Sequence, residues 1–359
     1  MKTAVYASIF IILAFASSAL QVSSKTRRTA SITTAAATTS ADAQQPQTAP
    51  AVRPTPTPSA LPETTGSQET VTIREVRLWV TVVDKKDQPV AGLTQNDFLI
   101  YEDKQPQQIV SFVDEHGRFP VYVGVLMDTS SSTAGKLKFE QEAAMNFIHT
   151  VLRLRKDKVA FVTFDHEVKL RQDFTDKLDM LDRAVYSVKK PGTNTSLYDA
   201  IYQFCDEKMR NIGAGRRVIV VITDGDDTYS RAQLRDAIDI AQRMETIIFA
   251  ISTKAGFAGS AVPGVEEGQA RDGGDRELVK LAEETGGKAF FTGDFLALER
   301  SFTKISKELR GQYLVTYKPT NDVYDGKFRQ IEVKLANKRD GMKVRAKRGY
   351  NAVTDTVRY

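Results

Sequence analysis

Val121-Tyr122-Val123-Gly124-Val125-Leu126-Met127 is an unbroken apolar run, and Asp128-Thr129-Ser130-Ser131-Ser132 follows it directly. A short apolar run bounded by polar residues reads as a strand buried on both faces, the kind found in parallel sheets. A second run, Val218-Ile219-Val220-Val221-Ile222, ends in Thr223-Asp224-Gly225. Two aspartates are thereby placed just past the carboxyl ends of two parallel strands. In an open α/β sheet, ligands bind in the crevice at those ends, where the strand order reverses.

A third stretch, Gly192-Thr193-Asn194-Thr195-Ser196-Leu197-Tyr198-Asp199-Ala200, supplies another hydroxyl. Together the carboxylates of Asp128 and Asp224 and the hydroxyls of Ser130, Ser132 and Thr195 make a set of hard oxygen ligands. Such a set suits magnesium, calcium or manganese and suits zinc poorly. Two carboxylates balance one divalent cation, and hydroxyls add no charge. The ion would keep an exchangeable position that a carboxylate from another protein could fill. Ser, Thr and Asp are also favoured helix N-caps, but a cap needs one such residue and here several are interleaved. Asp226 and Asp227 are expected in the loop and at the start of the next helix, where negative charge favours the dipole. Asp199 is expected to support the site.

Taken in order, Asp-x-Ser-x-Ser after a strand, Gly-Thr followed by Leu-Tyr-Asp-Ala-Ile, and Thr-Asp-Gly after a later strand resemble the metal-ion-dependent adhesion site of von Willebrand factor type A domains. The same domain type is inserted in integrins. The resemblance covers about residues 118 to 311. It implies metal ligation by Asp128, Ser130, Ser132, Thr195 and Asp224, and Thr195 fits the family spacing better than Thr193. Integrin β-subunit domains add an acidic pair shortly after the serines. Here the chain reads Thr133-Ala134-Gly135-Lys136, so no adjacent second metal site is expected.

The pattern of residues 118–311 alternates regularly between strand and helix. Strands are expected at 120–127, 158–165, 217–223, 246–252 and 288–292, with a short antiparallel edge strand at 167–172. Helices are expected at about 136–154, 175–188, 197–211, 231–244, 276–285 and 296–309. Leu298, Phe302, Ile305 and Leu309 recur at three- and four-residue spacing, as on a buried helical face. The fold class is therefore α/β, a doubly wound Rossmann-like domain with a mostly parallel central sheet. The Gly- and Ala-rich insert Lys254–Gly274 reads as a loop on the rim that carries the aspartates.

Two β-rich segments flank this domain, at 69–117 and 312–350. In the first, Phe98–Asp103 and Gln108–Phe112 read as a hairpin around Lys104-Gln105-Pro106. In the second, Phe328–Leu335 alternates strictly. Each segment is small for a core of its own, so the two are expected to form one β-sandwich, an arrangement that integrin β subunits resemble. Residues 351–359 are left as a tail.

Lys2 followed by an apolar run from Ala4 to Leu20, with Ala14-Phe15-Ala16 and Ser17-Ser18-Ala19, reads as a signal peptide over residues 1–20. A run this short is at the lower limit for a membrane span, so any membrane contact would come through this segment if it stayed uncleaved. Residues 21–68 are Ser, Thr, Ala and Pro, too polar to bury a core, and read as a disordered linker. The chain is expected to be exported: secreted, periplasmic or at the cell surface.

With 359 residues, 41% hydrophobic residues and a formal charge of +5, the composition is that of a mildly basic globular protein. The Lys and Arg excess lies between Lys304 and Arg348, where it alternates with apolar residues as on the wet face of strands. No clustered basic helix or stacking motif accompanies it, so no nucleic-acid partner is expected. The single cysteine, Cys205, excludes an internal disulfide and reads as a buried filler. His116, His149 and His166 have no metal-ligand spacing. There is no Gly-x-Ser-x-Gly, no phosphate-cradling glycine loop and no His-Glu-x-x-His, so no enzyme is expected. The reading is an adhesion-type module whose divalent cation bridges to a carboxylate of a partner protein. A structural envelope module with a rigidifying metal is the alternative, and a metal-dependent hydrolase the more distant one.

Overall fold

The computed structural model describes residues 75–114, 117–133, 135–224, 226–254, 272–291, 295–337 and 341–353. The expected signal peptide and linker, and all but the ends of the 254–274 insert, lie outside these residues; of the expected tail, residues 351–353 are described, and they correct it, since Asn351 ends a strand and Ala352 is buried in the sandwich core. Elements follow in chain order. The first segment holds β1 (Val76–Val83), β2 (Phe98–Glu102), β3 (Gln105–Gln107) and β4 (Ile109–Asp114). The middle of the chain begins with β5 (Val121–Asp128), α1 (Leu137–Val151), β6 (Lys158–Phe164), β7 (Val168–Thr175) and α2 (Leu178–Tyr186). It continues with α3 (Leu197–Phe204), β8 (Arg216–Thr223), α4 (Leu234–Arg243), β9 (Thr246–Ser252), α5 (Gly273–Thr285), β10 (Ala289–Phe291) and α6 (Phe295–Glu308). The last segment holds β11 (Gln312–Tyr317), β12 (Phe328–Leu335), β13 (Lys343–Arg345) and β14 (Gly349–Asn351).

Among the described residues the central sheet runs β10-β9-β8-β5-β6-β7. All of its pairings are parallel except β6 with β7. This is the doubly wound, mostly parallel α/β fold. Its strands read as continuous apolar runs because helices cover both faces: β5, β8 and β9 are buried almost throughout. Strand order reverses at the β5–β8 pair, and β5 pairs with β8 so that Met127 lies beside Ile222. Asp128 and Thr223 therefore emerge side by side at the switch point. Gly124 is required where it stands, because a Cβ there would run into the ring of Phe204 on α3.

On one face α1 packs against α6, with the rings of Phe147 and Phe302 5.3 Å apart. Leu298, Phe302, Ile305 and Leu309 all lie in that core. Helix α1 stops at Val151, short of the expected end, because Asp157 takes the next turn: it accepts from the Arg153 amide and guanidinium. After Phe204 the helix α3 continues as a π-helical turn through Cys205–Met209. Cys205 is fully buried there, and burial pushes its thiol up to about 12.

The flanking segments interleave. One sheet runs β13-β1-β11-β4 and the other β14-β12-β2-β3, so each draws strands from both ends of the chain. Leu78, Val80, Phe98, Ile100, Tyr313, Val315, Tyr317, Ile331 and Tyr350 share one core between them. The expected hairpin is corrected in detail. β2 turns through Asp103 and Lys104, both at positive φ, and pairs with β3. β4 instead crosses to the other sheet and pairs with β11. Two successive positive-φ residues make the tight turn that matches strand twist, and three residues of β3 exhaust the pairing.

Strand β1 is buried on both faces. Its other side presents Trp79 to the central domain, with Phe119 edge-on at 6.5 Å and the Arg216 guanidinium 4.9 Å from the indole centroid. Arg216 opens β8, so the sandwich is seated at the amino ends of the parallel strands. The crest with Asp128 and Asp224 is at the opposite end.

A buried polar link ties the segments together. Glu102 on β2, 2% exposed, accepts from the hydroxyls of Tyr317 on β11 (2.5 Å) and Tyr350 on β14 (2.8 Å). Glu102→Ala takes this acceptor from two buried hydroxyls and is expected to cost about 2–4 kcal/mol, at roughly 1–3 kcal/mol per buried hydroxyl. Glu102→Gln keeps an acceptor oxygen and should cost less. Urea unfolding of both variants measures the difference, and equal midpoints for Glu102→Ala and the parent would remove this link from the account.

Candidate metal centre

Asp128 is the last residue of β5 and is fully buried. Its Oδ1 accepts from the amide of Ser130 at 2.8 Å, and its Oδ2 accepts from the hydroxyl of Thr223 at 2.7 Å. The hydroxyls of Ser130 and Ser132 lie 2.9 Å apart, and Ser132 Oγ donates to Asp224 Oδ1 at 2.8 Å. One continuous chain of hydrogen bonds thus joins four of the five residues predicted from sequence. The order of strands makes this possible: β5 and β8 are neighbours, and one carboxylate ends β5 while the other directly follows β8.

Thr195 stands on the adjoining loop. That loop is clamped to the first by Ser131, whose hydroxyl donates to the Thr193 carbonyl at 2.8 Å, and by the Gly192 amide on the Thr129 carbonyl at 2.5 Å. Gly192 is required because a Cβ would run into the Asp165 carboxyl. Thr195 is buried, its carbonyl accepts from the amides of Thr228 and Tyr229, and its amide donates to Thr228 Oγ1. Among the described residues no hydrogen bond joins its hydroxyl to the Asp128–Asp224 chain. The structure therefore places Thr195 by its backbone.

The other acids of the crest brace the loops. Asp227 Oδ1 accepts from the amide of Leu197 at 2.8 Å and from that of Tyr198 at 3.4 Å. It caps α3, which precedes it, and this corrects the expectation that it would serve the helix that follows. Asp199 in turn accepts from the amides of Arg231 and Ala232 on the approach to α4. The two carboxylates lock the 195–199 and 227–232 loops together.

Two residues at the site were not singled out from sequence. Glu140 on α1 is fully buried; Oε1 accepts from the hydroxyl of Thr253 at 3.0 Å, and among the described residues Oε2 has no hydrogen-bond partner. Lys136 places its ammonium 3.5 Å from Asp224 Oδ2 and 3.5 Å from the Thr253 carbonyl. Glu140 was legible in principle as an acid on the same helical face as Ala143, Ala144 and Phe147.

Burial raises Asp128 to about 6, against the hydrogen bonds from Thr223 and Ser130, and the charge of Asp224 raises it further. Burial also raises Glu140 to about 9, with the charges of Asp128 and Asp224 adding to it. Crowded carboxyls with an orphaned buried oxygen are the environment that a cation relieves. Among the described residues no three His, Cys, Asp or Glu side chains come together as metal ligands. A cation here would rest on Asp128, Asp224 and hydroxyls, a donor set that fits a hard divalent ion.

His149 is exposed and His166 stands 2.8 Å from Asp165 Oδ1; His116 lies outside the described residues. The basic stretch is largely paired: Arg345 with Glu308, Arg348 with Glu283 and Arg329 with Asp325. No described helix is long and apolar enough to cross a membrane.

Residues 123–304 match the von Willebrand factor type A domain, just over half of the 359-residue chain. No curated protein matches the chain. Solved structures do. The conserved hypothetical protein BatB from Bacteroides thetaiotaomicron is 18% identical over 52% of this chain and 98% of its own, with a TM-score of 0.39. The PilB minor pilin from Streptococcus sanguinis is 13% identical over 54% of this chain and 62% of its own, with a TM-score of 0.39. The vWF domain of the type V pili tip protein Mfa5 from Porphyromonas gingivalis is 24% identical over 31% and 39%, with a TM-score of 0.29. This chain thus spans less than two thirds of the two pilus proteins, and at these identities the likeness concerns the fold alone.

Proposed function

Because the chain belongs to the von Willebrand factor type A domain family, whose domains are general protein-interaction and adhesion modules, we propose that it is an exported, metal-dependent protein-binding module. A divalent cation, magnesium in the first instance, would sit on Asp128, Ser130, Ser132, Thr195 and Asp224. It would bridge to a carboxylate of a partner protein. The observation that carries this reading is the hydrogen-bonded chain Asp128–Ser130–Ser132–Asp224 at the switch point. It gathers hard donors on the face turned away from the sandwich.

We read the module as non-catalytic. Hydrolysis at such an ion needs a base beside it, and Glu140, a carboxyl that feels the charges of Asp128 and Asp224, is fully buried and bonded to Thr253. Export rests on the leader-like residues 1–20.

The bridging mechanism is tested by Thr195→Asp. A third carboxylate should preserve or strengthen magnesium binding while repelling an acidic ligand. Arrays of Glu-containing peptides, each with its Gln counterpart, provide the probe, with magnesium or chelator present. Selective capture of Glu peptides in magnesium, lost in chelator and in Thr195→Asp, is expected. Capture that is indifferent to chelation or to Glu against Gln would overturn bridging. Metal bound without any such capture would favour a metal that only rigidifies the crest.

A further inference from the structure

Lys136 brings a fixed cation to a place prepared for a mobile one. It precedes α1 and is held by its backbone: its amide donates to the Thr133 carbonyl at 2.7 Å, and its own carbonyl accepts from the Glu140 amide at 2.9 Å. Its side chain is 17% exposed and folds inward along the crest, against an Asp224 side chain that is 6% exposed. The ammonium meets Asp224 Oδ2, the oxygen that Ser132 does not use, and the Thr253 carbonyl. Asp128, Asp224 and Lys136 all act electrostatically on Glu140, so four ionisable groups share one small volume.

We propose that Lys136 is a tethered counter-cation of the metal centre, one that holds Asp224 while no ion is bound, opposes entry of the divalent ion, and leaves the loaded site more positive towards an acidic partner. The inference rests on the metal reading above and deepens it.

The charge count shows what Lys136 changes. Counting only the two aspartates, a bound divalent ion brings the site to neutrality. Adding Lys136, the empty site is singly negative and the loaded site singly positive. Glu140 does not alter this count at neutral pH, because burial keeps it protonated. A neutral site holds its ion well but draws an acidic side chain weakly. A site with one residual positive charge gives up some affinity for the ion and gains pull on the carboxylate of a partner. Asp224 gains a second partner as well, so its carboxylate is already in place when an ion arrives.

Lys136→Gln removes the charge and keeps a polar side chain of similar reach, while Lys136→Arg keeps the charge. Magnesium and manganese titrations by calorimetry on the full chain should show Lys136→Gln binding on the order of tenfold more tightly, the effect expected when a unit charge a few ångströms from the ion is withdrawn from a partly screened site. Lys136→Arg should stay near the parent. In chelator, Lys136→Gln should melt below the parent, and saturating magnesium should close that gap. Affinity for Lys136→Gln within twofold of the parent, or weaker, would overturn the proposal and leave the metal reading standing. A melting deficit that is equal in chelator and magnesium would reduce Lys136 to a structural ion pair and also overturn it. If neither parent nor Lys136→Gln takes up either ion, the metal reading itself fails and the proposal falls with it.

Discussion

Asp128→Ala is expected to abolish divalent-ion binding, with a loss on the order of 100-fold or more in affinity. Outer partners of a metal ligand alone are worth about 10- to 100-fold, and a charged ligand exceeds them. Asp128 is positioned by the amide of Ser130 and the hydroxyl of Thr223, and it emerges from the most enclosed part of the sheet. Removing its charge takes away half of the negative charge that the two aspartates offer a cation. The fold should persist, because the change lies at the end of β5 and the apolar run Val121–Met127 is untouched. Asp224→Ala should behave alike. Calorimetric titration with magnesium, alongside far-ultraviolet circular dichroism, tests both variants; native affinity in both would remove the assignment.

The second large effect is on stability against pH, and it belongs to Glu140. Its carboxyl is raised from an ordinary value near 4.5 to about 9, first by burial and then by the charges of Asp128 and Asp224, with Thr253 and Lys136 opposing. Between those two values the unfolded chain has released this proton and the folded chain retains it. Stability contributed by the protonated group is complete below about 4.5 and is lost as pH rises through about 9. The slope is about 1.4 kcal/mol per pH unit for one proton. Glu140→Gln keeps the shape and the Thr253 contact and has no proton to lose. In chelator it should therefore be more stable than the parent at pH 8 by roughly 3 kcal/mol or more, with the difference shrinking towards pH 5. Magnesium should reduce the difference, since a nearby cation favours the carboxylate. Urea unfolding at pH 5, 6.5 and 8 reads this directly, and parallel pH profiles for the two proteins would refute it.

Much of the architecture was legible because it rests on one-dimensional signals. Val121–Met127 and Val218–Ile222 are apolar runs with no alternation and too short for a buried helix, the pattern of strands covered on both faces. Asp128 follows the first directly and Asp224 follows the second after Thr223, so their nearness requires only that β5 and β8 be neighbours. The role of Thr195 was read from family spacing, and the structure fixes only its backbone. Lys136 gives no such signal, and Glu140 shows only as an acid on the apolar face of α1. Their environment depends on Thr253, more than a hundred residues away at the end of β9, and no local pattern announces that contact. Asp227 was assigned to the wrong helix because capping geometry depends on how two loops cross, which composition does not record. The hairpin after β2 was misplaced by one turn, since the alternation of β4 is the same whichever sheet it joins.

Strand β1 has a mechanical meaning. It is hydrogen-bonded on one side to β11 along nearly its full length and on the other to β13, both antiparallel. A pull on the chain at Glu75 acts along the axis of β1. The bonds to both neighbours are then loaded together in shear, and none can open until many do. Trp79 adds a wedge, lodged against Phe119 and Arg216. Force entering at Glu75 would thus meet the sandwich in shear and reach the central sheet through Trp79 and Arg216, at the end of the strands opposite Asp128 and Asp224.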